Sequence, residues 1–167
     1  MENIFNLAFE CLTESSLDKK ISLSIDTVKA MSSGNMSFDT YIDKNEYSKP
    51  GRPSKPVLID PKDVPRRNLQ TLEGRAAMAH SFAHIEFNAI NLAWDLIYRF
   101  QNMSEEFYFD WVKVAGEETK HFNLLRGYLN NIGYDYGDFP GHEGLWTIAE
   151  KTKHDILLKK FIIYFIF

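Results

Sequence analysis

The sequence predicts an all-α fold, and three observations support the prediction. Apolar residues recur every three or four positions from Leu72 to Phe100 and again from about Glu105 to Asn131, which is the period of an amphipathic helix. The join Gln101 to Ser104 is so short that the two long helices should form an antiparallel hairpin. Residues 4–30 show the same period with a polar break at Thr13 to Ser16, which predicts two shorter helices.

Capping residues support these boundaries. Thr71 is a suitable N-cap for the first long helix, and Glu73 lies in its positive first turn. Ser104 is placed to cap the second long helix, and Gly133 to end it. A further helix is expected to begin at Leu145 and to run to the end of the chain.

The first long helix carries a carboxylate in an apolar stripe. Around Glu86, the residues three and four positions away are Phe82, Ala83, Ala89 and Ile90. A buried charge is costly unless it is paired, so Glu86 needs a partner.

The second long helix supplies two candidate partners, Glu118 and His121. They interrupt an apolar face that is formed by Phe107, Trp111, Val114, Leu125 and Leu129. Counted from the middle of the join, Glu86 lies about 16 residues back, Glu118 about 16 forward and His121 about 18 forward. At about 1.5 Å per residue the three share one depth in the hairpin. We therefore expect them to meet in a dry pocket.

One Glu on one helix and Glu-x-x-His on the next form half of the ligand set of a ferritin-like di-iron or di-manganese site. Residues three apart share a helix face, so Glu118 could bridge two metals while Glu86 and His121 are terminal ligands. Carboxylate oxygens and imidazole suit iron or manganese. The predicted metal ligands are thus Glu86, Glu118 and His121.

Other polar residues of these helices are predicted to face solvent or to be structural. Glu117 belongs to the charged face of Asp110, Lys113 and Lys120, where a solvated ion-pair ladder is expected. His80 and His84 have the spacing of a zinc pair, but their face continues into Asn88, Asn91 and Asp95, so surface histidines are favoured over ligands. If the helix is rotated, His84 could instead support a metal ligand. Trp111 and Tyr128 are assigned to the core.

The run from Lys49 to Leu157 resembles a known family. It contains PGRPSKPVLIDPKDVPRRNLQTLEGRAAMAHSFAHIEFNAI, EFYFDWVKVAGEETKHFNLL and GYDYGDFPGHEGLW, and it is similar to an uncharacterised bacterial ferritin-like family, domain of unknown function 455. That family is in turn similar to the di-iron hydroxylase that acts on a hypermodified adenosine in tRNA. The resemblance implies a ferritin-like bundle, oxygen-dependent oxidation or hydroxylation, and metal binding at Glu86, Glu118 and His121. Such proteins continue through two further ligand-bearing helices, so we expect a truncated bundle with half of the site.

Between the helical segments, residues 37–70 are rich in proline, which predicts an extended arm. The arm is also basic, through Lys49, Arg52, Lys55, Lys62, Arg66 and Arg67. Contact with tRNA is one interpretation, and a solvated loop is the favoured one. The expected division of the chain is 1–36 for an N-terminal helical segment, 37–70 for the arm and 71–167 for the partial bundle.

Composition limits the size of the core, the kind of partner and the compartment that can be expected. A chain of 167 residues with 44% hydrophobic residues can bury one core, and a net charge of −4 gives no overall basic field for nucleic acid. The lone Cys11 excludes an internal disulfide and suits a reducing cytoplasm. The apolar run Phe161 to Phe167 is too short to span a bilayer, which needs about 20 residues.

The loop Gly133 to Gly144 has two interpretations. It could fold over the end of the bundle, where His142 would orient a ligand or a substrate, or it could be a surface cap pinned by Phe139 and Trp146. For the whole chain, three outcomes compete: a homodimer through the hairpin that completes the site, an inactive fragment, and a helical scaffold whose buried acids pair with His121.

Overall fold

A computed structural model describes residues 1–38, 41–42 and 47–157 of the chain. Most of the described residues are helical, as the sequence predicts for an all-α fold. The helices are α1 (Ile4–Thr13), α2 (Leu17–Ser32), α3 (Leu72–Arg99), α4 (Glu105–Asn131) and α5 (Gly144–Lys151), with a short 3-10 helix at Pro61–Asp63. The strands β1 (Glu2–Asn3) and β2 (Met36–Ser37) form a parallel pair that the sequence did not predict, because two residues are too few for a recognisable alternation.

The first four helices lie where hydrophobic periodicity places them. At the start of α3, the Thr71 hydroxyl accepts the Gly74 N–H at 3.0 Å, so the predicted N-cap is confirmed. At the start of α1, the Asn3 side chain accepts the N–H groups of Phe5 and Asn6. After α4, Gly133 takes a φ of +85°, a left-handed conformation that costs glycine little and that ends the helix.

The last helix is interrupted. The sequence predicted a helix from Leu145 to the end of the chain, but α5 ends at Lys151, residues 152–154 form a turn, and helical residues resume at 156 and 157, where the described residues end. The Thr152 N–H closes this end by donating to the Ile148 carbonyl at 3.2 Å. The apolar run Phe161 to Phe167 lies outside the described residues.

The chain folds as two compact units, each built from two separate stretches. The first unit is Met1–Pro53 with Ala89–Thr119, and the second is Ser54–Asn88 with Lys120–Phe167. Helices α3 and α4 are each continuous and contribute one part to each unit. The expected boundaries at residues 36 and 70 stay a prediction.

The first unit has an aromatic core. Phe5 of α1 meets the edge of Tyr108 with ring centroids 5.3 Å apart, and the buried Trp94 donates its indole N–H to the Ser24 hydroxyl at 2.9 Å. Hydrogen bonding of the buried indole allows this large side chain to fill the core without an unsatisfied donor. Cys11 is also fully buried, as expected of a small apolar residue on the first helix.

The second unit packs a small-residue face of α3 against α4 and the loop that follows α4. Its buried cluster is Ala76, Ala77, Ala79, Leu129 and Phe139. The proline-rich stretch pairs with this loop: the Ile59 N–H donates to the Gly141 carbonyl at 2.9 Å, and the Gly141 N–H donates to the Val57 carbonyl at 3.0 Å. The loop is therefore held on the second unit by Phe139 in the buried cluster and by the two backbone hydrogen bonds of Gly141. The wider description of residues 37–70 as an extended arm stays a prediction.

Candidate metal centre

Helices α3 and α4 bring Glu86, Glu118 and His121 together. One ligand atom of each residue lies within 4.8 Å of the ligand atoms of the other two. The His121 Nδ1 atom is 3.9 Å from the Glu86 Oε1 atom. Glu118 precedes His121 by three residues on the continuous helix α4, so helix geometry places both on one side.

The donor set fits a first-row divalent metal. Two carboxylates and one imidazole are the ligand types that iron and manganese accept, and no thiolate is present to favour a softer ion. Donor atoms bonded to one ion at about 2.1 Å lie at most about 4.2 Å apart, so a pair 4.8 Å apart would have to close by at least about half an ångström. Side-chain rotation can supply that movement. Metal binding by these three residues stays a prediction.

The three candidate ligands are more exposed to solvent than the sequence suggested. Glu118 is buried and the Glu86 side chain is 16% exposed, but the His121 side chain is 50% exposed. The expected dry pocket is therefore wrong for His121. Phe82 and Tyr128, which were expected in the buried stripe and in the core, are also exposed. These side chains lie on sides of α3 and α4 that are incompletely covered by the described part of the chain.

Glu117 provides a comparison one position away. It is exposed, together with the charged residues Asp110, Lys113 and Lys120, and it is not part of the cluster of possible ligands. The predicted separation of these two neighbouring glutamates is confirmed. Glu117 is thus a matched control for Glu118.

The polar face of α3 was assigned to solvent, and this is wrong. His80, His84 and Asn88 in the second unit are buried, as are Asn91 and Asp95 in the first unit. Each unit supplies partners for its part of the face. In the first unit, the Lys20 Nζ donates to Asn91 Oδ1 at 2.7 Å, and the Arg99 Nη2 donates to Asp95 Oδ1 at 2.8 Å.

The loop after α4 supplies the partners of the two histidines. The Tyr136 hydroxyl lies 2.9 Å from His84 Nδ1, and the His142 carbonyl lies 3.0 Å from His84 Nε2. The Gly137 N–H donates to His80 Nε2 at 2.9 Å. Main-chain groups and one phenol thus surround these imidazoles, which were expected to face solvent.

Two features hold this loop close to α3. A Cβ at Gly141 would lie 2.8 Å from the His84 ring, so only glycine allows this approach without a shift. Phe139 and Trp146 are both buried, as expected of a cap pinned by these two residues. The His142 ring meets the His84 ring edge to face with centroids 6.4 Å apart, and the His142 Nδ1 accepts the Gly144 N–H at 3.2 Å.

His80 is held neutral by its surroundings. Burial, reinforced by the neighbouring His84, lowers the pKa of His80 to about 4. Because His80 Nε2 accepts the Gly137 N–H, a neutral His80 carries its proton on Nδ1. His80 therefore acts as a hydrogen-bond acceptor for the loop.

The basic stretch is partly neutralised within the fold. Lys62 pairs with Asp60 at 3.3 Å, and Arg67 pairs with Glu73 at 3.1 Å. The Arg67 guanidinium also lies over the Phe139 ring, 4.8 Å from its centroid. A role of this stretch in contacting tRNA stays a prediction.

No helix in the described part of the chain combines the length and the apolar character needed to cross a bilayer.

Comparison with known proteins gives a family without an assigned activity. Residues 13–166 match the family model described as "Protein of unknown function (DUF455)". An uncharacterized protein of Haemophilus influenzae is 52% identical over 111 residues, which cover 62% of this chain and 38% of that protein. The chain therefore spans less than half of the length of this relative. No solved structure matches the chain significantly.

Proposed function

Because the chain belongs to the DUF455 family of proteins of unknown function, we propose a function from its own side chains. Glu86, Glu118 and His121 bind iron or manganese as part of a ferritin-like metal-carboxylate centre, and the protein takes part in oxygen-dependent oxidation or hydroxylation. The observation that supports the proposal is the approach of these three ligand atoms to within 4.8 Å of one another. A divalent metal suits this site, because it would balance the charge of two neighbouring carboxylates, one of which is buried.

The residues have distinct roles in this proposal. Glu118, the most buried of the three, would be the bridging carboxylate, and Glu86 and His121 would be terminal ligands. When bound, a pair of iron ions supplies the electrons that reduce dioxygen. The chain's own residues fix the ligand geometry and, on the Glu118 side, exclude water.

We further propose that a second copy of the chain completes the ligand set. Two copies of Glu plus Glu-x-x-His give four glutamates and two histidines around a twofold axis, which is the full set of a two-metal carboxylate site. The half-exposed His121 supports this arrangement, because a ligand at an open surface can share its metal with groups from a partner. An inactive fragment or a metal-free helical scaffold is the competing account.

Anaerobic iron loading followed by metal analysis and mass measurement tests the proposal. We expect about one iron per chain in a dimer, since two chains share a two-metal site. Glu118→Ala should abolish binding, whereas Glu117→Ala, which alters the exposed neighbouring glutamate, should not. A folded chain that binds no iron, or equal losses in both variants, would favour the scaffold.

A further inference from the structure

We propose that Tyr136 and His84 form a proton-coupled redox pair beside the candidate metal centre, in which Tyr136 is the residue that loses one electron. The phenol oxygen lies 2.9 Å from His84 Nδ1, within the range for direct proton transfer. This assignment rests on the proposed function for its natural oxidant. The pair itself is defined by contacts within the second unit.

The hydrogen-bond partners of His84 fix the direction of the bond. A carbonyl oxygen can only accept, so the His142 carbonyl at 3.0 Å requires a proton on His84 Nε2. In the neutral imidazole, Nδ1 then carries the lone pair and accepts the Tyr136 O–H. The loop backbone thereby presents His84 to Tyr136 as a base.

The pair is shielded from water. Tyr136 is 7% exposed and His84 is 5% exposed. The His80 ring stacks on Tyr136 with centroids 5.2 Å apart and an interplanar angle of 19°. Because burial excludes solvent reductants and reactive partners, a radical formed on Tyr136 should outlive one formed on an exposed tyrosine.

Two aromatic rings connect Tyr136 with the candidate ligands. The Tyr136 centroid lies 5.0 Å from that of Phe122 and 5.6 Å from that of Phe87. Phe122 follows His121 in the chain, and Phe87 follows Glu86. Tyr136 therefore packs on the residues that adjoin two of the candidate ligands in the sequence.

The proposed step balances with one external one-electron oxidant. The O–H bond of Tyr136 breaks, its proton forms an N–H bond at His84 Nδ1, and the electron passes to a one-electron oxidant. Iron bound at Glu86, Glu118 and His121 would supply such an oxidant from dioxygen. The products are a neutral tyrosyl radical and an imidazolium that keeps its Nε2–H bond to the His142 carbonyl. Re-reduction returns the proton to the phenol oxygen.

A metal-free experiment tests the pair directly. The purified chain is oxidised with a photogenerated ruthenium tris-bipyridyl oxidant, and the surviving radical is measured by electron paramagnetic resonance after a fixed delay. The variants are Tyr136→Phe, Tyr134→Phe as a control on a neighbouring tyrosine in the same loop, and His84→Gln. Glutamine can accept the phenol hydrogen bond but cannot take its proton, so this variant separates a base from a structural partner. Circular dichroism and urea unfolding check that each variant folds.

We expect a long-lived tyrosyl signal in the wild type and in Tyr134→Phe, and its loss in Tyr136→Phe. His84→Gln should lower the surviving signal by about tenfold, as expected when one favourable charge-assisted interaction is lost. A long-lived radical that persists unchanged in Tyr136→Phe or in folded His84→Gln would overturn the proposal. The absence of any long-lived radical in the wild type would overturn it as well.

A second arm separates this inference from the proposed function. The wild type is loaded with ferrous iron without oxygen, its iron content is measured, and it is then exposed to oxygen and frozen. Bound iron followed by a radical that depends on Tyr136 supports both proposals. Bound iron without that radical contradicts the coupling of the pair to the centre, whereas a folded chain without iron contradicts the proposed function only, because the photochemical result stands by itself.

Discussion

Lys20 lies in the core of the first unit, where its amino group has three hydrogen-bond acceptors. Its Nζ donates to the carbonyls of Cys11 and Leu12 at 2.6 and 2.9 Å and to Asn91 Oδ1 at 2.7 Å. The first two acceptors are among the last carbonyls of α1, which the helix itself leaves unsatisfied. Burial lowers the pKa of Lys20 to about 7. Nothing in the sequence distinguished it from the adjacent Lys19, because both lie in one short polar run.

Replacement of Lys20 should show how much this cap contributes. Lys20→Met leaves two carbonyls and the Asn91 oxygen without this donor, so we expect the free energy of unfolding to fall by about 3 kcal/mol. Lys19→Met changes an exposed residue and should stay within about 0.5 kcal/mol of the wild type. Urea unfolding measures both, and equal small effects would show that the Lys20 hydrogen bonds stabilise little.

His80 should make stability depend on pH. The pKa of His80 is lowered by burial from 6.5 to about 4, so between these values the unfolded chain binds a proton that the folded chain does not. The stabilisation is fully present above about 6.5 and is lost as the pH falls toward about 4. We expect the stability of the wild type to decrease more steeply with acid than that of His80→Gln. Urea titrations across this pH range test it, and parallel curves would contradict the assignment.

At the scale of elements, the period of the apolar residues predicted α1 to α4 but not the surroundings of each face. The polar face of α3 carries His80, His84, Asn88, Asn91 and Asp95, and all five are buried. The composition of this face is consistent with burial: these are short or aromatic polar side chains, and none is Lys, Glu or Gln, which dominate solvated helix faces. Arg99, the partner of Asp95, lies one turn away on α3, but the partners of His80, His84 and Asn91 could not be predicted, because they come from a distant loop and from α2.

Gly141 is where the loop after α4 comes closest to α3. A methyl group there would lie 2.8 Å from the His84 ring, so Gly141→Ala should displace the loop and lower the free energy of unfolding by about 1–3 kcal/mol, as overpacking does. Gly127→Ala is the control: nothing lies within 4 Å of its added methyl in α4, and alanine favours a helix by about 1 kcal/mol. Thermal unfolding should therefore shift in opposite directions, and a stabilised Gly141→Ala would contradict the close packing.

At the scale of the whole molecule, the second unit has exposed apolar side chains near the candidate ligands. On α4, Leu124 and Tyr128 are exposed beyond the half-exposed His121, and on α3 Met78 and Phe82 are exposed. The sequence predicted apolar residues on these helices but could not say which would stay uncovered, since that depends on the full set of packing partners. A second copy at this surface is part of the function proposed above.

A charge at this surface should therefore weaken self-association. Leu124→Glu places a carboxylate on the most exposed of these side chains and should raise the dimer dissociation constant by at least about tenfold, since burying an unpaired charge costs more than about 1.4 kcal/mol. Ile148→Glu, on exposed apolar surface of α5, is the matched control and should leave it unchanged. Sedimentation equilibrium measures both constants, and a monomeric wild type would refute the dimer.

The approach of Glu86, Glu118 and His121 could be predicted because it depends on local quantities, namely helix period and equal distance from a short join. The exposure of His121 and the pairing of His84 with Tyr136 could not, since both depend on how other segments cover the helices. The proposed function therefore depends on whether these three ligand atoms, which lie within 4.8 Å of one another, bind a metal ion.

Diffraction from iron-loaded crystals, with anomalous differences recorded at the iron absorption edge, is the most direct measurement. The account predicts an anomalous peak within bonding distance of Glu86, Glu118 and His121, at about 2.1 Å from each ligand atom. Crystals saturated with iron that show no peak there, or a peak bound elsewhere with these three side chains unchanged, would contradict it.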